Sequence, residues 1–194
     1  MKRKIDSPHW MIGAVSGLLG VTLISLTAMA ASERPSQPAS PATVPERTTS
    51  VFGDWAMSCT RRADATRLCE ASLTIQDQKR QIGMVLAFGR PAKGKPLLVV
   101  LQVPVNIRTA EPALLELDGD PVAIAFNQCN RLGCFAQFEL KDDTLIRRLR
   151  AHDAEAPGRI KWHDSGNTEI VAPLSTRGFG GAMDALTAAD NGKS

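Results

Sequence analysis

Four cysteines carry the most reactive chemistry in the chain, and they fall into two near pairs, Cys59 with Cys69 and Cys129 with Cys134. Three uses of the sulfurs compete. Disulfides are expected where a chain is exported and its cysteine count is even. A zinc site would draw on all four thiolates, but Cys59 and Cys69 stand too far apart for a standard zinc knuckle. A redox pair would favour Cys-x-x-Cys at a helix start, where the helix N-terminus lowers a thiol pKa. Neither pair has that form. The structural reading is preferred. Four cysteines allow three pairings, and the two local ones are favoured because each joins adjacent strand candidates. Each closes a short loop, which in the chain-entropy model contributes roughly 2–3 kcal/mol per bridge.

Histidine is scarce: His9, His152 and His163. His152 and His163 each precede an aspartate, Asp153 and Asp164. A hydrolytic triad needs a nucleophile on a constrained turn and a histidine oriented by a third group. No Gly-x-Ser-x-Gly is present, and neighbouring His and Asp usually point apart, so surface polar roles are preferred. Asp118, Asp120, Asp142 and Asp143 fit no calcium-loop spacing and read as turn and cap residues. No cofactor or metal is expected. Arg147, Arg148 and Arg150 read as a solvated helix face, with an acidic partner or lipid headgroups as the alternative. Trp55 and Trp162 lie in strand-like patterns and read as core or edge packing rather than as an exposed binding surface.

Composition excludes one class. The chain has 23 basic and 20 acidic residues, and Lys2, Arg3 and Lys4 supply most of the excess. The remainder is close to neutral, so nothing electrostatic argues for nucleic-acid binding. Tyrosine is absent and aromatics are few, so no stacking platform is suggested.

The elements that must position these residues begin after an export segment. Basic residues open the chain, Met11–Ala31 is uncharged and largely apolar, and Ala28-Met-Ala30 offers small residues for cleavage between Ala30 and Ala31. This is a secretory signal pattern. The apolar run is also about as long as a membrane-spanning helix, so an uncleaved anchor over residues 11–31 is the alternative. Basic residues on the near side place the rest of the chain across the membrane. Residues 32–50, with Pro35, Pro38, Pro41 and Pro45, read as a disordered linker.

From Val51 the patterns are short and strand-like. Val51–Cys59 reads as one strand. Leu68–Ile75 alternates in part, with Leu73 and Ile75 on one face. Gln76–Lys79 is a polar turn, and Gln81–Phe88 a third strand. Leu97–Val103 is continuously apolar and predicts a central strand covered on both faces. Leu114–Phe126 reads as strand, turn, strand about Asp118-Gly119. Cys129 and Cys134 then close a hairpin containing Gly133. Asp142 or Asp143 can cap a short helix ending at Ala151, with Leu145, Ile146 and Leu149 on one face. Arg159–His163 and Thr168–Leu174 form a last strand pair. Gly178–Ala188 reads as a helix that buries Phe179, Met183 and Leu186. About nine short strands predict a mainly β protein, an antiparallel β-sandwich or barrel-like domain with one or two short helices. The domain spans residues 51–188, and residues 189–194 form a disordered tail.

Laid out this way, the chain resembles the invasion-associated locus B family of exported bacterial proteins. The resemblance runs from about Phe52 to Leu186. Its marks are Gly53-Asp-Trp55 followed by Cys59 and Cys69, the apolar strand closing on Pro104, Phe126-x-x-Cys129-x-x-x-Gly133-Cys134, and Leu174-Ser175-x-x-Gly178-Phe179-x-x-Ala182. Residues 105–112 and 151–157 depart from the family pattern. The resemblance implies a small periplasmic or surface-associated β domain with structural disulfides, in a family named for host-cell invasion, and it brings no catalytic residues.

The expectation is a non-enzymatic envelope protein that works by binding an envelope or host-surface protein, in support of envelope integrity or host-cell invasion. It would lie in the periplasm or at the cell surface and touch a membrane only through an uncleaved N-terminal helix. Two alternatives stand beside it: a periplasmic inhibitor or chaperone-like module that binds another envelope protein, and a periplasmic hydrolase using His152 or His163.

Overall fold

The computed structural model describes residues 46–76 and 82–192. The signal or anchor segment, the Ala30–Ala31 cleavage position, the linker up to residue 45 and most of the Gln76–Lys79 turn lie outside the described residues. So do Lys193 and Ser194.

The folded part is mainly β, with antiparallel sheets and two helices. A seven-stranded sheet has the order β1-β2-β3-β4-β5-β9-β8, from β1 (Arg47–Phe52), β2 (Trp55–Arg61), β3 (Arg67–Gln76), β4 (Ile82–Gly89), β5 (Leu98–Val103), β8 (Phe126–Asn130) and β9 (Gly133–Glu139). A four-stranded sheet has the order β11-β10-β6-β7, from β6 (Ala113–Glu116), β7 (Val122–Ile124), β10 (Gly158–His163) and β11 (Glu169–Leu174). Helices α1 (Thr144–Ala151) and α2 (Phe179–Asp190) complete the fold. The mainly β, antiparallel expectation with two short helices holds, and neither sheet closes into a barrel.

Most pairings join neighbours in the chain, which is why short turns and alternation suffice to build the sheets. One face of the large sheet supplies Trp55, Met57, Leu73, Met84, Leu86, Phe88, Val99 and Leu101 to the core. Ala113, Leu115, Ile160, Trp162 and Leu174 enter it from the small sheet, and Leu149, Phe179, Met183 and Leu186 from the helices. Trp55, Phe88 and Phe179 pack together with ring centroids 4.8–5.9 Å apart. Trp55 and Trp162, expected to pack in the core or at a sheet edge, are both buried in the core.

Three boundaries differ from the sequence reading. Val51–Cys59 is not one strand: the chain reverses at Gly53-Asp54, and β1 lies antiparallel to β2 with Phe52 opposite Trp55. Strand β1 therefore begins at Arg47, inside the stretch read as linker. It is an edge strand with Arg47–Val51 exposed, so it lacks the apolar alternation that marks a half-buried strand. Val122–Phe126 also divides, because β7 pairs in the small sheet while Phe126 starts β8 in the large one. At the other end, α2 continues to Asp190, two residues into the expected tail.

Helix α1 starts as expected. Asp143 occupies the N-cap and pairs with Arg147. The Asp142 carboxylate accepts the Thr144 N–H at 2.8 Å, and that bond lowers the Asp142 pKa.

Candidate functional site

The cysteines form two disulfides, Cys59–Cys69 and Cys129–Cys134, each with Cα atoms 4.0 Å apart. Each joins residues directly opposite in an antiparallel pair, β2 with β3 and β8 with β9. The local pairing holds, and the sulfurs do not converge as a four-thiolate zinc site. The bridges differ in environment. Cys59 and Cys69 lie in the core, whereas Cys134 is buried and its partner Cys129 is exposed on an edge strand.

The histidines are not oriented by their sequence neighbours. His152 follows α1, and its side chain is only 8% exposed. Its Nδ1 lies 2.7 Å from Asp118 Oδ2, in the β6–β7 turn, and its Nε2 lies 2.6 Å from the Ala156 carbonyl oxygen. His163 ends β10, and its Nδ1 lies 3.0 Å from Glu111 Oε2. Glu111 also pairs with Arg108 at 3.2 Å. Among the described residues no serine hydroxyl bonds His152 or His163: Ser165 Oγ, nearest in sequence to His163, bonds Asn106 instead.

The three arginines of α1 all bond within the chain. Arg147 pairs with Asp143, Arg150 pairs with Asp184 of α2 at 2.7 Å, and Arg148 donates to the carbonyls of Asp118 and Asp120. Asp118 and Asp120 lie in the β6–β7 turn and Asp142 and Asp143 at the start of α1. Among the described residues no three or more His, Cys, Asp or Glu side chains gather as metal ligands.

Two weak motifs, 120 residues apart at their nearest members Trp55 and Ser175, meet in space. Asp54, in the β1–β2 turn, takes Arg177 Nη2 at 2.6 Å and Ser175 Oγ at 2.6 Å. Trp55 Nε1 donates to the Ser175 carbonyl at 2.8 Å, and the Asp54 N–H to the Arg177 carbonyl at 3.0 Å. Gly178 caps α2 with φ of 88°, and a Cβ there would overlap the Phe52 carbonyl oxygen. Only glycine suits both the angle and the approach. The Arg177 and Ser175 hydrogen bonds hold the Asp54 carboxyl below its usual pKa range. Sequence reading misses this contact. Gly53-Asp-Trp55 and Ser175-x-x-Gly178 each stand out in the chain, but nothing local says that they touch.

The remaining candidate is the outer face of the large sheet. The sequence predicts β5 to be covered on both faces, and the structure covers one. Val99, Leu101 and Val103 are buried, while Leu98, Val100 and Gln102 are half-exposed. Val100 faces Ala87 across the β4–β5 pair, Val85 faces Gln102, and Gln102 faces Phe135 of β9. With Leu68 of β3 these side chains floor a shallow depression of about 560 Å³, bordered by Arg62, Glu70 and Arg90. Its charged rim and apolar floor suit contact with a protein better than covalent chemistry.

Fold and surface together define a small, two-disulfide antiparallel β protein with an open sheet face. The family model for "Invasion associated locus B (IalB) protein" matches residues 55–187, and the chain belongs to that family. Among solved structures it is similar to invasion associated protein B from Bartonella henselae, with a TM-score of 0.63 and 17% identity, over 75% of this chain and 98% of that one. That likeness is one of fold. A search of curated proteins returns no match.

Proposed function

We propose that this chain is an exported, non-enzymatic envelope protein that binds another envelope protein through the outer face of its seven-stranded sheet. The observation that carries the reading is β5. A strand that is apolar but for Gln102 sits in the interior of a sheet, yet only one of its faces is packed. An apolar patch with a charged rim is the usual form of a protein contact. Two disulfides fit an oxidising compartment, and the export pattern at the N-terminus agrees. Both ring nitrogens of His152 already face acceptors, so in this arrangement neither is free to act as a general base. The family's name motivates the finer proposal that the partner contact serves envelope integrity or host-cell invasion.

The test is site-specific photocrosslinking in the producing bacterium. A crosslinker at Val100 should trap a discrete envelope protein, and one at Val171, exposed on the small sheet, should not. One dominant product fits a dedicated partner. A ladder of many products fits the chaperone-like reading. Equal labelling from both positions would refute binding through the sheet face.

A further inference from the structure

We propose that His152 is a proton-operated latch that holds the loop 153–157 closed at low pH and releases it as the pH rises. Both atoms facing its ring are pure acceptors. A carboxylate oxygen lies 2.7 Å from Nδ1 and a backbone carbonyl oxygen 2.6 Å from Nε2. A neutral imidazole has one N–H and one lone pair, so it can satisfy only one of them. The observed geometry needs both nitrogens protonated. The ring is also largely withdrawn from water, at 8% exposure, so water does not readily replace the lost partner.

The order of events follows from acceptor strength. A carboxylate holds an N–H more firmly than a peptide carbonyl does. On deprotonation Nδ1 keeps its proton against Asp118, and the Nε2 lone pair then points at the Ala156 oxygen. That contact becomes repulsive and the carbonyl moves away. The closed form thus binds one proton more than the open form, so closure is favoured as pH falls and is lost as it rises.

Other charged groups surround the latch. Glu116 of β6 and Arg159 of β10 pair with each other beside the ring. Arg148 of α1 is engaged by the Asp118 and Asp120 carbonyls. Asp153 and Glu155 lie in the loop, where Asp153 Oδ1 accepts the Glu155 N–H at 3.0 Å. Arg177 faces the loop from beyond it and attracts Glu155.

The loop is a wall. Ala154, Glu155 and Pro157 line one side of a cleft of about 470 Å³, whose other side holds Ile75, Pro173 and Arg177. Release of the Ala156 carbonyl frees that wall between two fixed ends. His152 N–H is anchored to the Arg148 carbonyl at 3.0 Å, and Gly158 is buried in β10. The latch therefore makes the width of this cleft depend on pH.

The experiment is nitrogen-15 NMR of the full chain in detergent, labelled at histidine and backbone, from pH 5 to pH 8. With three histidines in the chain, His152→Gln and His163→Gln assign the ring signals. The expected result is a His152 ring protonated at both nitrogens at pH 5 that loses its Nε2 proton on titration. The backbone signals of 154–156 should move with the same midpoint, and those of the β10–β11 turn should not. Asp118→Asn, at a side chain 85% exposed and so tolerant of change, should shift that midpoint to lower pH. A His152 ring in one protonation state throughout would overturn the latch. So would loop signals that ignore the ring, or a midpoint unchanged in Asp118→Asn.

Discussion

Replacing Gly178 by alanine tests how the two ends of the folded chain hold each other. The residue has φ of 88°, and the added Cβ would overlap the Phe52 carbonyl oxygen and stand 2.9 Å from the Gly53 nitrogen. Two costs combine. A left-handed angle costs an L-residue about 1–2 kcal/mol. Overpacking against immobile backbone adds about 1–3 kcal/mol. The sum, roughly 2–5 kcal/mol, is a large part of a usual folding stability. For a domain of this size it corresponds to a fall in Tm of roughly 4–20 °C. Gly94→Ala separates the two costs, because Gly94 has φ of 77° and an added methyl would meet nothing within 4 Å. It should lose only the angular part, about 1–2 kcal/mol. Thermal unfolding followed by far-UV circular dichroism, with disulfides intact, gives both values. Equal losses in the two variants would refute the claim that Phe52 and Gly178 are in obligatory close approach.

Three further outcomes follow from the same structure. Replacing both cysteines of one bridge by alanine should cost about 2.7 kcal/mol for Cys59–Cys69 and about 2.1 kcal/mol for Cys129–Cys134 by loop-closure entropy, read from denaturant midpoints. Mild reductant should open Cys129–Cys134 first, since Cys129 is exposed and the other bridge is buried, and mass spectrometry after timed alkylation would show the order. Asp54 has a lowered folded pKa, so between that value and its unfolded value the unfolded chain binds more protons. Its stabilisation is present above pH about 4 and fades as pH falls through the folded value. Asp54→Asn should therefore flatten the acid limb of stability against pH, and an unchanged limb would contradict the Asp54–Arg177 assignment.

Most of the β architecture is legible in the sequence because its signals are local. Asp118-Gly119 marks a turn, Leu73 and Ile75 alternate, and the cysteines flank a hairpin. Both helices are legible from the spacing of Leu145, Leu149, Phe179 and Leu186. Strand β1 is hidden because an exposed edge strand of Arg, Thr and Ser has no periodicity to read. The break between β7 and β8 is hidden because a change of sheet leaves no mark in an apolar run. The orienting partners of the site residues are hidden for a different reason. His152 meets Asp118 rather than Asp153, and Asp54 meets Arg177, through contacts that only the folded chain creates. In β5 the apolar run does place apolar side chains on both faces, but an apolar face need not be a covered one. That mismatch is what turns the outer sheet face into a candidate surface.

Val100→Asp, measured in the bacterium alongside a photocrosslinker at neighbouring Ala87, tests that surface most directly. Val100 is half-exposed and its side chain is outside the core, so the variant should fold, export and melt within a few degrees of the parent. In this variant the discrete crosslinked product from Ala87 should disappear while protein abundance is retained. An undiminished product in a folded Val100→Asp chain would contradict binding through the outer face of the seven-stranded sheet.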